Sequence, residues 1–210
     1  MNAKNIIIGI VAFIIILGGL YFVYQAVNGP STPPQNIDFN VVRPKDNVKW
    51  NTKSKNILIE YSDLQCPACL NFYDFFKSFE KTATPNATFV YRYFPLFQIH
   101  QNAFAAAYAA AAAADQGKFW PMEEALFDKQ SEWADLQDPT SYFLNVAKKI
   151  GLNLEKFKSD MGSQAVKDRV QSDLSEGEAI GVNATPTFFL NGKQLTITNL
   201  DDFKKLLFSL

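Results

Sequence analysis

Cysteine and histidine are scarce: two of the first and one of the second in 210 residues. A disulfide-dense scaffold is therefore excluded, and a four-ligand Cys/His zinc site would have to borrow carboxylates. Charge of one sign is missing as well, since 20 Lys and Arg stand against 21 Asp and Glu for a net of -1. Without a basic stripe, nucleic-acid binding fits poorly. No nucleotide, flavin or metal motif occurs, so no cofactor and no metal are expected. The length suits one sizeable domain with an accessory segment, enough to bury a core without staples.

Charge is also nearly absent from the start of the chain. Ile6 to Val23 is an uncharged run, and Lys4 is the only charged side chain before Asp38. A helix over those 18 residues would span about 27 Å, close to the hydrocarbon thickness of a bilayer. Lys4 on the short flank and no further cation until Arg43 place the N-terminus in the cytoplasm. The run is long for a signal-peptide core, and Ala26-Val27-Asn28-Gly29-Pro30 lacks a small-x-small cleavage site, which favours a retained anchor. The expected organisation is a cytoplasmic stub over 1–5, a transmembrane signal-anchor over 6–24, a Pro-rich linker over 25–36 and an extracytoplasmic domain over 37–210, held at the cell membrane by a single pass.

Within that domain, Asn56 to Tyr61 reads as a buried strand followed by a Ser62-Asp63 turn. Phe72, Phe75, Phe76 and Phe79 then recur at helical spacing. Ala87 to Phe94 is apolar on both faces, as inside a sheet. Ala103 to Ala114 holds ten alanines with Phe104 and Tyr108 as anchors, and reads as a tightly packed helix. Pro121 is expected to open a helix with Glu123 and Glu124 in its first turn. Further helices run from Asp138-Pro139 to Gly151, from Asn153 to Gly162 and from Ser163 to Gly181. Thr187–Leu190, Asn191-Gly192 and Gln194–Ile197 form a hairpin pattern with a type I′ turn, and Asn199 caps a last helix.

Cys66-Pro67-Ala68-Cys69 falls where the loop after the first strand meets a helix start. Two intervening residues let the sulfurs bond across one turn, and the helix N-terminus favours a thiolate on the first cysteine. Cys66 is expected to be the exposed nucleophile and Cys69 the shielded, resolving thiol. Pro67 fixes φ in the first turn without losing a needed N–H, and with Ala68 shapes the small ring. A zinc knuckle would need two more soft ligands where only His100 is at hand. A structural disulfide closing so short a loop adds little stability. A c-type haem would need His where Leu70 stands.

Glu60 to Cys69 resembles the active-site segment of the DsbA-like thioredoxin-fold family of exported thiol-disulfide oxidoreductases. Gly181 to Gly192 resembles that family's cis-proline segment, and His100 to Gln130 its inserted helical domain, the matches running from about Ile57 to Gly192. The resemblance implies an α/β thioredoxin-like fold with a helical insertion at about 98–165. It also implies a cis Thr185-Pro186 bond facing Cys66, where an unfolded substrate chain would pair with the backbone of Thr185. Glu60 falls where the family often keeps a partly buried acid beneath the dithiol, able to exchange a proton with Cys69. Against this stands a strand-end carboxylate facing water. His100 reads as a cap or packing residue, and Trp120 as core or rim. Strongly oxidising members often carry His where Ala68 stands, so the expected reduction potential lies between about -120 and -270 mV, the DsbA and thioredoxin values.

The function that follows is an exported, membrane-tethered oxidase that introduces disulfides into reduced proteins. The resemblance implies a quinone-linked re-oxidase partner of the DsbB or vitamin-K-epoxide-reductase-like type. The rivals are a reductase or isomerase, and a non-catalytic thioredoxin-fold binding module.

Overall fold

The computed structural model describes residues 13, 17–19 and 39–210. The expected membrane segment over 6–24 lies almost wholly outside the described residues. Among the described residues no helix is long and apolar enough to cross a membrane.

Five strands and eight helices follow along the described chain: β1 (Asn47–Trp50), β2 (Ile57–Ser62), α1 (Pro67–Glu80), β3 (Thr88–Tyr93), α2 (Ala103–Ala114), α3 (Phe119–Asp128), α4 (Gln130–Trp133), α5 (Thr140–Lys149), α6 (Leu154–Gly162), α7 (Gln164–Ala179), β4 (Thr187–Leu190), β5 (Lys193–Gln194) and α8 (Leu200–Phe208). The sheet order is β1-β3-β2-β4-β5. Only β2 and β3 run parallel, with Glu60 opposite Tyr91; β1 and β4 pair antiparallel with β3 and β2. The crossover from β2 to β3 through α1 is a βαβ unit, and it is why a helix begins immediately beyond the end of a central strand.

Alternation along β2 divides the core. Leu58 packs with α1, whose buried stripe is Cys69, Tyr73, Phe76 and Phe79. Ile59 and Tyr61 face the other way, toward Leu174 of α7 and Phe189. Phe76 is the centre of the first layer, with ring centroids 5.2 Å from Phe89, 5.9 Å from Phe188 and 6.1 Å from Phe203. The expected apolar stripe of α1 is thus shifted: Phe72 and Phe75 are half-buried and lean on Phe203. Alanine gives α2 its role, because a helix without bulk can touch α3, α5, α6 and α7 at once.

The second layer holds a buried cation. Arg92 is fully buried, donates to Asp46 at 3.1 Å and Glu176 at 2.8 Å, and reaches the carbonyls of Phe39 and Val41, each at 2.7 Å. This pins the chain before β1 to the sheet. Arg43 closes the cluster on Asp173 at 2.6 Å. Burial raises Asp173 to about 6 despite that ion pair.

Several local expectations meet their residues. Asn153 caps α6 through the Lys156 N–H, Ser163 caps α7 through Val166, and Asn199 caps α8. Asn191 and Gly192 both take positive φ, at 50° and 79°, as a type I′ turn requires. Others do not hold. The second hairpin strand shrinks to Lys193–Gln194, since Leu195 and Ile197 turn inward to pack on the core. Strand β1 has no counterpart in the sequence reading; four residues alternating polar and apolar are too short a pattern. Pro121, expected to open α3, is its third residue; the helix starts at Phe119, which carries Glu123 one turn inward and buries it.

Candidate active site

Cys66 is the N-cap residue of α1, with extended backbone (φ -73°, ψ 124°), and Pro67 supplies the first helical turn. The turn before it is closed by the Cys66 N–H donating to the Asp63 carbonyl at 3.0 Å. Pro67 and Ala68 are exposed, while Cys69 is completely buried one turn into the helix. Cys66 departs from expectation: it is only 6% exposed, because the loop before β4 lies over it. There the Thr185-Pro186 bond is cis, and Cys66 Sγ lies 3.4 Å from the Thr185 carbonyl oxygen. The sequence residues Cys66, Cys69, Thr185 and Pro186 are thus brought into one site across more than a hundred positions.

The two thiols are electrostatically unequal. A hydrogen bond from the Cys69 thiol pulls Cys66 down to about 5 against the burial that opposes it; the nearby Thr185 hydroxyl and the N–H groups of Cys69 and Ala68 act in the same direction. Those amides are the unpaired donors of the helix start. Cys69 is pushed up, by burial first, then by holding the proton toward Cys66 and by the charge of Glu60. The Asp63 N–H, 3.5 Å from Cys69 Sγ, only partly offsets this. One sulfur is a ready nucleophile and leaving group at neutral pH; the other keeps its proton.

Glu60 is 5% exposed and shares the face of Leu58, so the water-facing alternative does not hold. Burial raises its carboxyl to about 7, with the Ser62 hydroxyl and Lys49 ammonium pulling the other way and Cys66 adding to the rise. A carboxyl titrating there gives and takes protons at neutral pH.

Asp63 was not among the expected site residues, yet its carboxylate organises the loop. It is 2% exposed and accepts from the N–H of Gln65 at 2.8 Å and of Leu96 at 2.9 Å, with His100 Nδ1 2.7 Å from the same carboxylate. His100 therefore fixes the loop and does not touch sulfur, close to the packing role expected of it. Gln65 and Gln130 tie the loop to the helical insertion: Gln65 Nε2 donates to the Ala134 carbonyl, Gln65 Oε1 accepts from Asn102, and Gln130 Nε2 donates to the carbonyls of Leu64 and Cys66. The signal for Asp63 was the turn after a buried strand; glutamines carry no such mark in a sequence. Trp120 is a half-buried rim residue whose indole donates to the Val48 carbonyl at 2.9 Å. No cluster of three metal-ligating side chains occurs among the described residues.

The family model described as Thioredoxin matches residues 44–208. The chain belongs to the thioredoxin family. A dithiol so divided, facing a cis-proline loop in a member of that family, has the chemistry for thiol-disulfide exchange. Among solved structures, alpha-DsbA1 from Wolbachia pipientis superposes with a TM-score of 0.66 at 21% identity, covering 81% of this chain and 92% of its own. BdbD from Bacillus subtilis gives 0.64 at 21% identity, covering 78% and 91%. These likenesses establish the DsbA-like form of the fold, a thioredoxin core with a helical insertion. A curated relative named Na(+)/H(+) antiporter NhaA 1, from Mycolicibacterium vanbaalenii, is 37% identical over 169 residues, 77% of this chain. The chain spans about a quarter of that relative's length, 26%.

Proposed function

We propose that the chain is an exported, membrane-tethered oxidase that donates its Cys66–Cys69 disulfide to reduced proteins on the outer side of the cell membrane. The observation that carries this reading is the position of Cys66 at the helix start beside the buried Cys69 thiol, an arrangement that draws the Cys66 pKa down. An acidic thiol stabilises the reduced enzyme, and a dithiol whose reduced form is favoured is an oxidant. A substrate thiolate attacks Cys66, Cys69 leaves, and a second substrate thiol resolves the mixed disulfide. The enzyme is left reduced. A quinone-linked membrane protein of the DsbB or vitamin-K-epoxide-reductase-like type then takes the electrons, and a tether through 6–24 raises its effective concentration. The exposed Ala68 side chain, a methyl that adds neither charge nor hydrogen bond beyond the backbone amide, fits a potential between the DsbA and thioredoxin values.

The experiment is acid quenching and alkylation of cells that express the full chain. An oxidase is recovered mainly with Cys66 and Cys69 joined; recovery mainly as the dithiol reverses the direction and makes the protein a reductase or isomerase. Cys66→Ser abolishes exchange in either case, and an unchanged phenotype in that variant would leave only a binding module.

A further inference from the structure

Exchange at a dithiol whose inner sulfur is sealed requires a route for a proton to and from that sulfur. In the oxidising direction a substrate thiolate attacks Cys66 Sγ, the Sγ–Sγ bond breaks, and its electron pair goes to Cys69, which takes up one proton. A second substrate thiolate then attacks the substrate sulfur of the mixed disulfide, and Cys66 departs as a thiolate. Two substrate thiols thus yield one substrate disulfide, one proton on Cys69 and one released to solvent. Glu60 can supply the Cys69 proton, but Glu60 is itself 5% exposed and must be recharged.

A second buried carboxyl stands on the way out. Directly paired strand residues share a face: Glu60 pairs with Tyr91, and Lys49 with Phe89. Helix α3 lies over this face, with Phe119 4.9 Å from the Tyr91 ring and Trp120 6.0 Å from Phe89. Glu123, one turn beyond both, projects from the same side of the helix. It is 6% exposed, and no hydrogen bond or ion pair of its carboxyl occurs among the described residues. It also lines a surface cleft of about 180 Å³ with Lys49, Glu80, Trp120 and Glu124.

We propose that Glu123 is the outer member of a two-carboxyl proton path, Glu60 to Glu123, that connects the Cys69 thiol to solvent at this cleft. Both acids exchange protons near neutral pH, since burial raises Glu60 to about 7 and Glu123 to about 8. The charged groups around Glu123 are Lys49 of β1, which favours its ionised form, and Glu60, Glu80 and Glu124, which oppose it. Lys49 is itself held by Glu80 at 2.7 Å. Tyr91 and, across the cleft, Tyr73 and Lys77 of α1 and Lys81 just beyond its end complete the surroundings. The path rests on Cys66–Cys69 being an exchanging dithiol and serves electron flow in either direction.

The test is single-turnover exchange of the full chain with a dithiol peptide, followed from pH 5.5 to 9 in wild type, Glu123→Gln, Glu123→Asp, Glu123→Ala and Glu60→Gln. Glu123→Gln is expected to slow exchange about tenfold at neutral pH, less than the roughly 10²–10⁴-fold of a group that transfers the proton directly, because Glu123 acts through Glu60, with the alkylation midpoint of Cys66 unmoved. Glu123→Asp recovers part of the rate. Formate or imidazole, small enough for the cleft, restores Glu123→Ala in a concentration-dependent way without accelerating wild type. Adding Glu123→Gln to Glu60→Gln slows it no further, because the two act as one unit. Wild-type rate and pH profile in Glu123→Gln would overturn the path, as would a slowed Glu123→Ala that small acids do not rescue. Should Glu123→Gln lose its fold by circular dichroism, Glu123→Asp and the rescue decide. A wild type that exchanges nothing would instead sink the dithiol reading.

Discussion

Lowering the pH should reveal the state of Cys66 more clearly than any substitution. Its thiol is drawn from an ordinary 9.0 to about 5 by the Cys69 hydrogen bond, the Thr185 hydroxyl and the amides of the helix start. At pH 7 an ordinary thiol of that kind is about 1% ionised, and Cys66 about 99%. The roughly hundredfold gain in thiolate does not become a hundredfold gain in rate. Nucleophilicity falls with basicity at a Brønsted slope of about 0.4–0.5, which over a drop of about 4 removes about 1.6–2 powers of ten. The alkylation rate at pH 7 should therefore resemble that of an ordinary thiol, while its pH profile should not. With iodoacetamide on the reduced protein, the rate should stay flat from pH 9 down to pH 6 and halve near 5. The same change is a stability term. Because folding lowers this pKa, the stabilisation of the reduced form is complete above 9 and is lost as pH falls through about 5. At pH 7 it amounts to at most about 2.7 kcal/mol, and solvent screening at the sulfur brings it to about 1–2. The melting-temperature advantage of the reduced over the oxidised protein should accordingly shrink between pH 7 and pH 5. An alkylation midpoint near 8.5–9 would refute the electrostatic argument and, with it, the oxidant assignment.

Two further outcomes concern the frame that holds the site. Phe76→Ala empties the aromatic centre beneath α1 and should lower the unfolding free energy by about 3–5 kcal/mol in urea titration; a loss under about 1 would mean that the surrounding rings collapse into the space. Arg92→Met leaves Asp46 and Glu176 with only the more exposed Arg43 as a cation, at 2.8 and 3.5 Å, an imbalance that should cost about 3 kcal/mol, the lower end for breaking a buried pair. In that variant the residues before β1 should become the first site of proteolytic cutting, since the Phe39 and Val41 carbonyls lose their donor.

What could be read from the chain beforehand was the part written locally. A C-x-x-C pair at a helix start, side-chain caps at Asn153, Ser163 and Asn199, and Asn-Gly at a tight turn each act over a few residues, and each is found where its chemistry requires. Strand β1 and the shortened β5 were not legible, because a four-residue edge strand exists only by pairing with β3, and Leu195 and Ile197 leave the hairpin for a core that other elements provide. Glu123 was placed in the first turn for a similar reason. Pro121 marks a helix start locally, and only the packing of Phe119 and Trp120 on the sheet begins α3 earlier and turns that side inward.

The residue string fixes the chemistry these 210 residues can offer: one dithiol, with no third cysteine among them to exchange with it. Tertiary structure alone decided how that dithiol is tuned. Cys66 is acidic because the Cys69 thiol and the first amides of α1 meet at its sulfur, beneath a loop 119 residues away. Cys69 and the carboxyls of Glu60 and Glu123 hold their protons because the sheet and α3 exclude water from them. Desolvation is a property of what surrounds a group in space, and no local pattern of residues records it.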